Sequence, residues 1–447
     1  MNKLSLLLAS MLLSVSSVQA ENLQQILELA VVNDPQLRAA ESGLLADEEL
    51  KRQAKAVLFP TIDLSADTTY NRLHTESAFF SSLPGSDKRR SFNGKGYSLN
   101  LSQPVFNNTL LVGLKQVDST IAKARAEYMF AQQELVLRSS QAYFDVLGAM
   151  DTLRFTEAEK AAISRQLEQA QKRFDVGLIA ITDIHEAQAR YDLAVADELR
   201  AVNVLEEVRE SLREITGQNH PSIAILKDKM PLISPEPALI EEWVNLALDN
   251  NLQVEAQVQA VEISRHEIAM QKSGHYPTVD IEAHYSDRSE KASRFGPGAD
   301  TDDRTVGLQF NLPLFQGGLV SSRTREAALR HRQAKDVLEQ SRRSVERQTR
   351  QAYLRVGSTI SRVKALQQAL ISTQSALEAT ELGFEVGTRT AVDVLDSQRE
   401  LYRARRELAL ARYEHIVSTL QLKLAAGQLS GDDVAQVNGW LITEAGS

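Results

Sequence analysis

Apolar and polar positions follow two different periods along this chain, and the period switches in the same order twice. Between residues 23 and 58 helix formers dominate, and proline occurs only at Pro35, where Asp34-Pro35 has the form of a helix start. After Pro60 the period becomes two. Ile62, Leu64, Ala66 and Tyr70 alternate with Asp63, Ser65, Asp67, Thr69 and Asn71, and Tyr97, Leu99 and Leu101 alternate with Ser98, Asn100 and Ser102. The alternation returns at Val279, Ile281, Ala283 and Tyr285, and again at Val306, Leu308, Phe310 and Leu312. It predicts four strands, at about 61–72, 96–104, 278–287 and 304–313, each with one apolar and one polar face. Each pair flanks a polar, glycine-containing loop, residues 73–94 or 290–303.

Long helical runs follow each strand pair. From Leu110 to Arg173 and from Val320 to Gly383 there is no proline and the period is helical. Each run would span on the order of 100 Å if continuous, which implies a supercoiled or barrel arrangement. The helices after the next glycine turns carry heptad rows. Ile184, Tyr191, Glu198, Leu205 and Leu212 are followed at three residues by Ala187, Ala194, Ala201, Val208 and Ile215. In the second run Val394, Leu401, Leu408, His415 and Leu422 are followed by Ser397, Ala404, Ala411, Ser418 and Ala425. Large residues at one heptad position and small ones at the other let helix backbones approach closely. Glu198 and His415 interrupt the large rows, as register devices or as groups facing a tunnel.

These paired textures are a tandem duplication. Pro60-Thr61-Ile62-Asp63-Leu64 matches Pro277-Thr278-Val279-Asp280-Ile281 at an offset of 217, and Gln103-Pro104-Val105-Phe106 matches Leu312-Pro313-Leu314-Phe315 at 209. From there the offset is 210, as in Phe174-Asp175-Val176-Gly177 against Phe384-Glu385-Val386-Gly387. The repeat is too long for a solenoid unit and reads as a gene duplication. It divides the chain into a leader at 1–20, a first repeat at 21–217, a linker at 218–237, a second repeat at 238–427 and a C-terminal segment at 428–447.

The leader changes the compartment. Lys3, the apolar run Leu4–Leu13 and the small-residue site Val18-Gln19-Ala20 have the form of a secretory signal. No later stretch has the ~18 consecutive apolar residues of a membrane helix. The absence of cysteine in 447 residues removes disulfides, thiolate metal sites and a lipid-modified N-terminal cysteine. A net charge of −9 argues against a nucleic-acid partner. Four strands of membrane-crossing length cannot close a barrel, which needs roughly eight. Either the sheet packs its apolar face on another layer, or several chains pool their strands. The leader, long helices and duplication together favour pooling, with the polar face lining a water-filled passage.

With the Asn-Asp-Pro start at 33–35, Leu-Pro-Leu-Phe-Gln-Gly-Gly at 312–318, and the turn motifs at 173–183 and 386–396, the chain resembles the TolC family of outer-membrane efflux and secretion ducts. The resemblance implies a mainly α fold with a membrane β-barrel. In it, duplicated strand hairpins and long antiparallel coiled-coil helices form a homotrimer with a 12-stranded barrel and an α-helical periplasmic tunnel. The linker and the C-terminal segment would then lie at the tunnel's equator. Implied partners are outer-membrane lipid, a periplasmic adaptor (membrane fusion) protein and an inner-membrane RND, ABC or MFS transporter that opens the duct. Thr182 and Asp183 match the family's gate positions, Arg389 its gate arginine, and Asp393 and Asp396 its constriction carboxylates. Phe384 falls where the family has a gate tyrosine, so the hydroxyl is missing. Val176, Gly177, Leu178, Val386, Gly387 and Thr388 form the tips expected to dock the adaptor. The same residues have plainer roles as helix caps and left-handed turn positions.

No enzyme signature stands out: there is no His-Glu-x-x-His, phosphate loop or Gly-x-Ser-x-Gly, and no cofactor or metal is expected. His185 reads as a surface residue. Asp300, Asp302 and Asp303 lack EF-hand spacing and read as a solvated loop. Phe79, Phe80, Phe92 and Tyr97 suit either an interfacial girdle or loop packing. The rival to a duct is a non-enzymatic periplasmic coiled-coil scaffold or adaptor without pore activity.

Overall fold

The computed structural model describes residues 20–74, 89–292 and 297–442; the rest of the leader, Phe79 and Phe80 lie outside them. Helices α1 (Leu23–Asn33) and α2 (Pro35–Ala56) lead into strands β1 (Thr61–His74) and β2 (Arg89–Asn107), then α3 (Asn108–Asp175) and α4 (Ile181–Thr216). After a short strand β3 (Ile225–Leu226), the order repeats: α5 (Ile240–Asn250), α6 (Leu252–Lys272), β4 (Thr278–Ala292), β5 (Pro297–Asn311), α7 (Leu319–Glu385) and α8 (Ala391–Ala425). Helix α9 (Gly431–Asn438) and strand β6 (Leu441–Ile442) close the chain. No helix among the described residues is long and apolar enough to cross a membrane.

Two compact units emerge, and each draws on both repeats. One contains Ser42–Ala126 and Glu255–Ser341; the other contains the residues up to Glu41, Glu127–Val254 and those from Arg342 onward.

The first unit carries an antiparallel sheet in the order β1-β2-β4-β5, so one hairpin from each repeat meets at β2 and β4. Register aligns the apolar positions: Ile62 faces Leu101, Leu64 faces Leu99, Leu99 faces Tyr285, and Ile281 faces Leu308. Polar residues meet on the other face. Ser65 Oγ lies 2.7 Å from Ser98 Oγ, His284 Nδ1 lies 2.6 Å from Asn100 Oδ1, and Arg288 pairs with Asp67 at 3.1 Å. Among the described residues no second layer covers the apolar face: Leu64 is 73% and Val306 80% exposed, which counts against burial of this face within the chain. Among the same residues the edges β1 and β5 have no further strand partner. Pro104, which cannot donate to a ladder, sits where the β2–β4 register shifts, the position a bulge allows it.

The strands run farther than the alternation indicates. β1 and β2 pair out to His74 and Arg89, and β4 and β5 out to Ala292 and Pro297, so residues 73–74 and 89–94 of the first expected loop and most of the second, 290–303, are ladder. Beyond the apolar band both faces are polar, and backbone pairing continues without a side-chain period to reveal it. Asp300, Asp302 and Asp303 therefore stand in β5 opposite Ser289, Asp287 and Ser286, with Asp302 paired to Arg304 at 2.9 Å. Phe92 and Tyr97 are likewise strand residues, and Tyr97 packs on Tyr285 with ring centroids 6.0 Å apart. The fourth strand ends at Asn311, short of the expected 313.

The second unit holds the main core. Leu23 and Ile26 of α1, Leu135, Tyr143, Phe144 and Leu147 of α3, Leu212 of α4, Ile416 and Leu420 of α8, and Val434 of α9 are packed together. Burial pushes the Tyr143 phenol pKa upward, and its hydroxyl donates to the Ala224 carbonyl at 2.6 Å. Buried Asp34 caps α2, accepting from the Leu37 amide at 2.7 Å, and pairs with Arg138 at 2.8 Å. Asn251 plays the capping role for α6 through the amides of Gln253 and Val254.

The heptad rows are the buried seams. Ala187, Ala194 and Ala201 of α4 and Val394, Leu401, Ala404 and Ala411 of α8 are buried. The interrupting residues pair across their own hairpins: Lys160 of α3 with Glu198 of α4 at 2.6 Å, and Thr359 of α7 with His415 of α8 at 3.1 Å. Burial lowers the His415 pKa and favours its neutral ring. His415 is buried and Glu198 half-buried, and each has its partner on the other helix of its hairpin.

Candidate tunnel-gate tips

The candidate residues gather at two hairpin turns, α3–α4 and α7–α8, both in the second unit. Each long helix stops in the same way. At the first turn Gly177 adopts φ +77°, its amide donates to the Phe174 carbonyl at 2.8 Å, and the Leu178 amide donates to the Arg173 carbonyl at 2.9 Å. At the second, Gly387 adopts φ +80°, its amide donates to Phe384 at 3.2 Å, and Thr388 donates to Gly383 at 2.8 Å. These are Schellman closures, and only glycine takes the left-handed position without a Cβ clash. The closure exposes Val176, Leu178 and Val386.

The helices restart differently. α8 begins at Thr390, whose Oγ1 accepts from the Asp393 amide at 3.2 Å while Asp393 Oδ2 accepts from the Thr390 amide at 2.9 Å. This capping box holds the Asp393 pKa below the usual carboxylate range, chiefly through the Thr390 backbone bond, then the Thr390 hydroxyl and the Arg389 charge. α4 begins at Ala180, which has no side-chain cap. Asp183 occupies the position of Asp393 but has no capping hydroxyl beside it, and Thr182 next to it is exposed.

Asp396 pairs with Arg190 of α4 at 2.9 Å and lies 3.6 Å from Arg399. It therefore ties the second hairpin to the first. Arg389 is exposed, and within one chain no ion pair joins it to Asp183. Its amide donates to the Gly383 carbonyl at 3.1 Å, and its stem lies on Gly383, where a Cβ would come within 2.8 Å of Arg389 Cγ. Half-buried Phe384 receives the Arg173 guanidinium over its ring, 4.2 Å from the centroid. His185 is exposed.

The structure thus brings Phe384, Arg389 and Asp393 together at the second tip and Thr182 and Asp183 at the first. The expectations did not include Thr390, Gly383 or Arg190, nor a role for Arg173. The signal for one of these was present: Thr390-x-x-Asp393 is a capping-box pattern, which Ala180-x-x-Asp183 in the first copy breaks.

The family described as outer membrane efflux protein matches the chain twice, over residues 26–218 and 243–428. The chain belongs to this family. It is 38% identical over 429 residues to the outer membrane protein TolC of Vibrio cholerae, with 95% of each chain covered. It is 27% identical over 441 residues to the proteases secretion protein PrtF of Dickeya chrysanthemi, covering 98% of this chain and 95% of that one. Its fold superposes on the crystal structure of the Campylobacter jejuni CmeC outer membrane channel with a TM-score of 0.78 and 15% identity, over 94% of this chain and 89% of that one. Membership in the outer membrane efflux protein family makes this an outer-membrane protein that extends into the periplasm and serves as an exit duct for efflux, secretion or both. Ducts of the family work with adaptors and inner-membrane transporters.

Proposed function

We propose that three copies of this chain pool their sheets into a 12-stranded barrel and form a passive duct, closed at its periplasmic end until a transporter and adaptor open it. The supporting observation for the gate is the complementary state of the two tips: among the described residues neither Arg389 nor Asp183 forms an ion pair within hydrogen-bonding distance, although the Arg389 charge is felt at Asp393. A guanidinium and a carboxylate so placed suit a charge-assisted tether to a neighbouring copy, the strong class of hydrogen bond. The open strand edges β1 and β5 and the uncovered apolar face support pooling into lipid.

In this reading Thr182, Asp183, Phe384 and Arg389 form the gate. Asp393 and Asp396, three residues apart on one helix face, contribute six carboxylates per trimer to the constriction. Asp393 Oδ2 is held in the cap and Asp396 is shared with Arg190, so the ring's charge is partly balanced. The exposed turns at Val176-Gly177-Leu178 and Val386-Gly387-Thr388 are the adaptor-docking surface, and the transporter beyond it is of the RND, ABC or MFS type. The protein carries out transport without a catalytic step.

Single-channel recording in planar bilayers tests the gate. Arg389→Ser and Asp183→Ala should each raise conductance several-fold; unchanged conductance removes both residues from the gate. A chain that inserts no pores at all would favour the scaffold alternative.

A further inference from the structure

The two tips touch through a contact that neither turn makes alone. Arg173 lies in the last turn of α3 and Phe384 in the last turn of α7, and each backbone carbonyl accepts one of the hydrogen bonds that close its own turn. Both side chains are half-buried, and the guanidinium stands 4.2 Å from the ring centroid, well inside the ~6 Å range of cation–π attraction. Arg173 forms no ion pair among the described residues, so the aromatic face is its principal partner. A phenyl ring lacks the hydroxyl of a tyrosine but keeps the negative face that a planar cation stacks on.

Phe384 is also joined directly to the residue that seats Arg389. The Gly383 carbonyl accepts from the Thr388 amide at 2.8 Å, the Thr388 hydroxyl at 3.0 Å and the Arg389 amide at 3.1 Å. The bare Gly383 Cα leaves room for the Arg389 stem. Fixing the Phe384 ring therefore fixes the backbone on which Arg389 rests.

We propose that Arg173 and Phe384 form a cation–π clasp that fastens the first hairpin tip to the second and, through Gly383, positions Arg389. The clasp stands on its own geometry, whereas its consequence for conductance rests on the gate assignment above. Arg173 and Phe384 are thus positioning residues.

Hydrogen exchange of the full-length protein in detergent micelles reads the clasp directly. Phe384→Leu should speed exchange of the Leu178 amide, in the opposite turn, and Arg173→Gln that of the Thr388 amide, each about two- to fivefold. The double variant should do no more than either single one, and Phe384→Tyr should match the parent because it keeps the ring face. Exchange that rises only in the mutated turn, or effects that multiply in the double variant, overturns the clasp. Conductance separates the two layers. Arg173→Gln should raise it alongside Arg389→Ser; a rise for Arg389→Ser alone overturns the positioning of Arg389 and leaves the gate intact. Unchanged conductance for Arg389→Ser removes the gate assignment, and coupled exchange then still upholds the clasp.

Discussion

The two hairpin tips descend from one sequence and have divided its chemistry between them. Both keep phenylalanine, an acid, valine and glycine in the same order, and both close with the same pair of backbone hydrogen bonds. The differences sit on either side of that shared turn. Before the phenylalanine, the first tip has Arg173 and the second has Gly383; one projects a cation across the gap, and the other makes room for Arg389. After the glycine, the first tip has Leu178, Ile179 and Ala180, and the second has Thr388, Arg389 and Thr390. The first is apolar and uncapped, with Asp183 outside any cap; the second is polar, and its cap occupies Asp393. Duplication kept the turn because backbone geometry demanded it and let the flanks diverge, so each tip now supplies what the other lacks.

The largest effect should come from breaking what the tips share. Gly177→Val and Gly387→Val each force a β-branched residue into the left-handed region, costing about 1–2 kcal/mol. Hydrogen exchange at Leu178 and Thr388 should accelerate roughly tenfold in the respective turn; a tip that tolerates valine does not depend on this closure. A smaller effect should follow from exchanging the caps. Thr390→Ala should weaken the start of α8 by about 1 kcal/mol, while Ala180→Thr should strengthen the start of α4 by a similar amount. Because the new hydroxyl would draw Asp183 into a capping box, Ala180→Thr should also raise conductance, as Asp183→Ala does. Stabilisation without a conductance change would separate Asp183 from the gate.

The smallest effect concerns pH. Asp393 has a folded pKa below its ordinary value, so its stabilising contribution is fully present above the unfolded carboxylate pKa of about 4 and is lost as pH falls through the lower folded value. Exchange of the Thr390 amide should therefore accelerate only below about pH 4. Thr390→Ala should shift that onset upward, toward the unfolded carboxylate value. An onset unchanged by Thr390→Ala would show that the hydroxyl and its cap do not set this ionisation.

Periodicity revealed the element types, the duplication, the seams of α4 and α8 and the places where the long helices stop. It missed the outer parts of the strands, because ladder hydrogen bonds persist where both faces are polar and no alternation marks them. Candidate gate positions were legible only through motif resemblance, and their partners were not legible at all. The pairing of Arg173 with Phe384 crosses from one repeat to the other, and that of Asp396 with Arg190 does the same. No local pattern encodes such a contact.

By itself the sequence determined what depends on neighbours a few residues away: helix and strand periods, left-handed glycines, capping residues and the doubled plan. Tertiary structure decided what depends on residues brought from far along the chain. It set the sheet order that joins one hairpin from each repeat, left the apolar face uncovered, and paired the lone charges of Lys160, Glu198 and Asp396. The physical reason is range: backbone preferences act within a turn or two, whereas the partner of a charge or an aromatic face is chosen by packing.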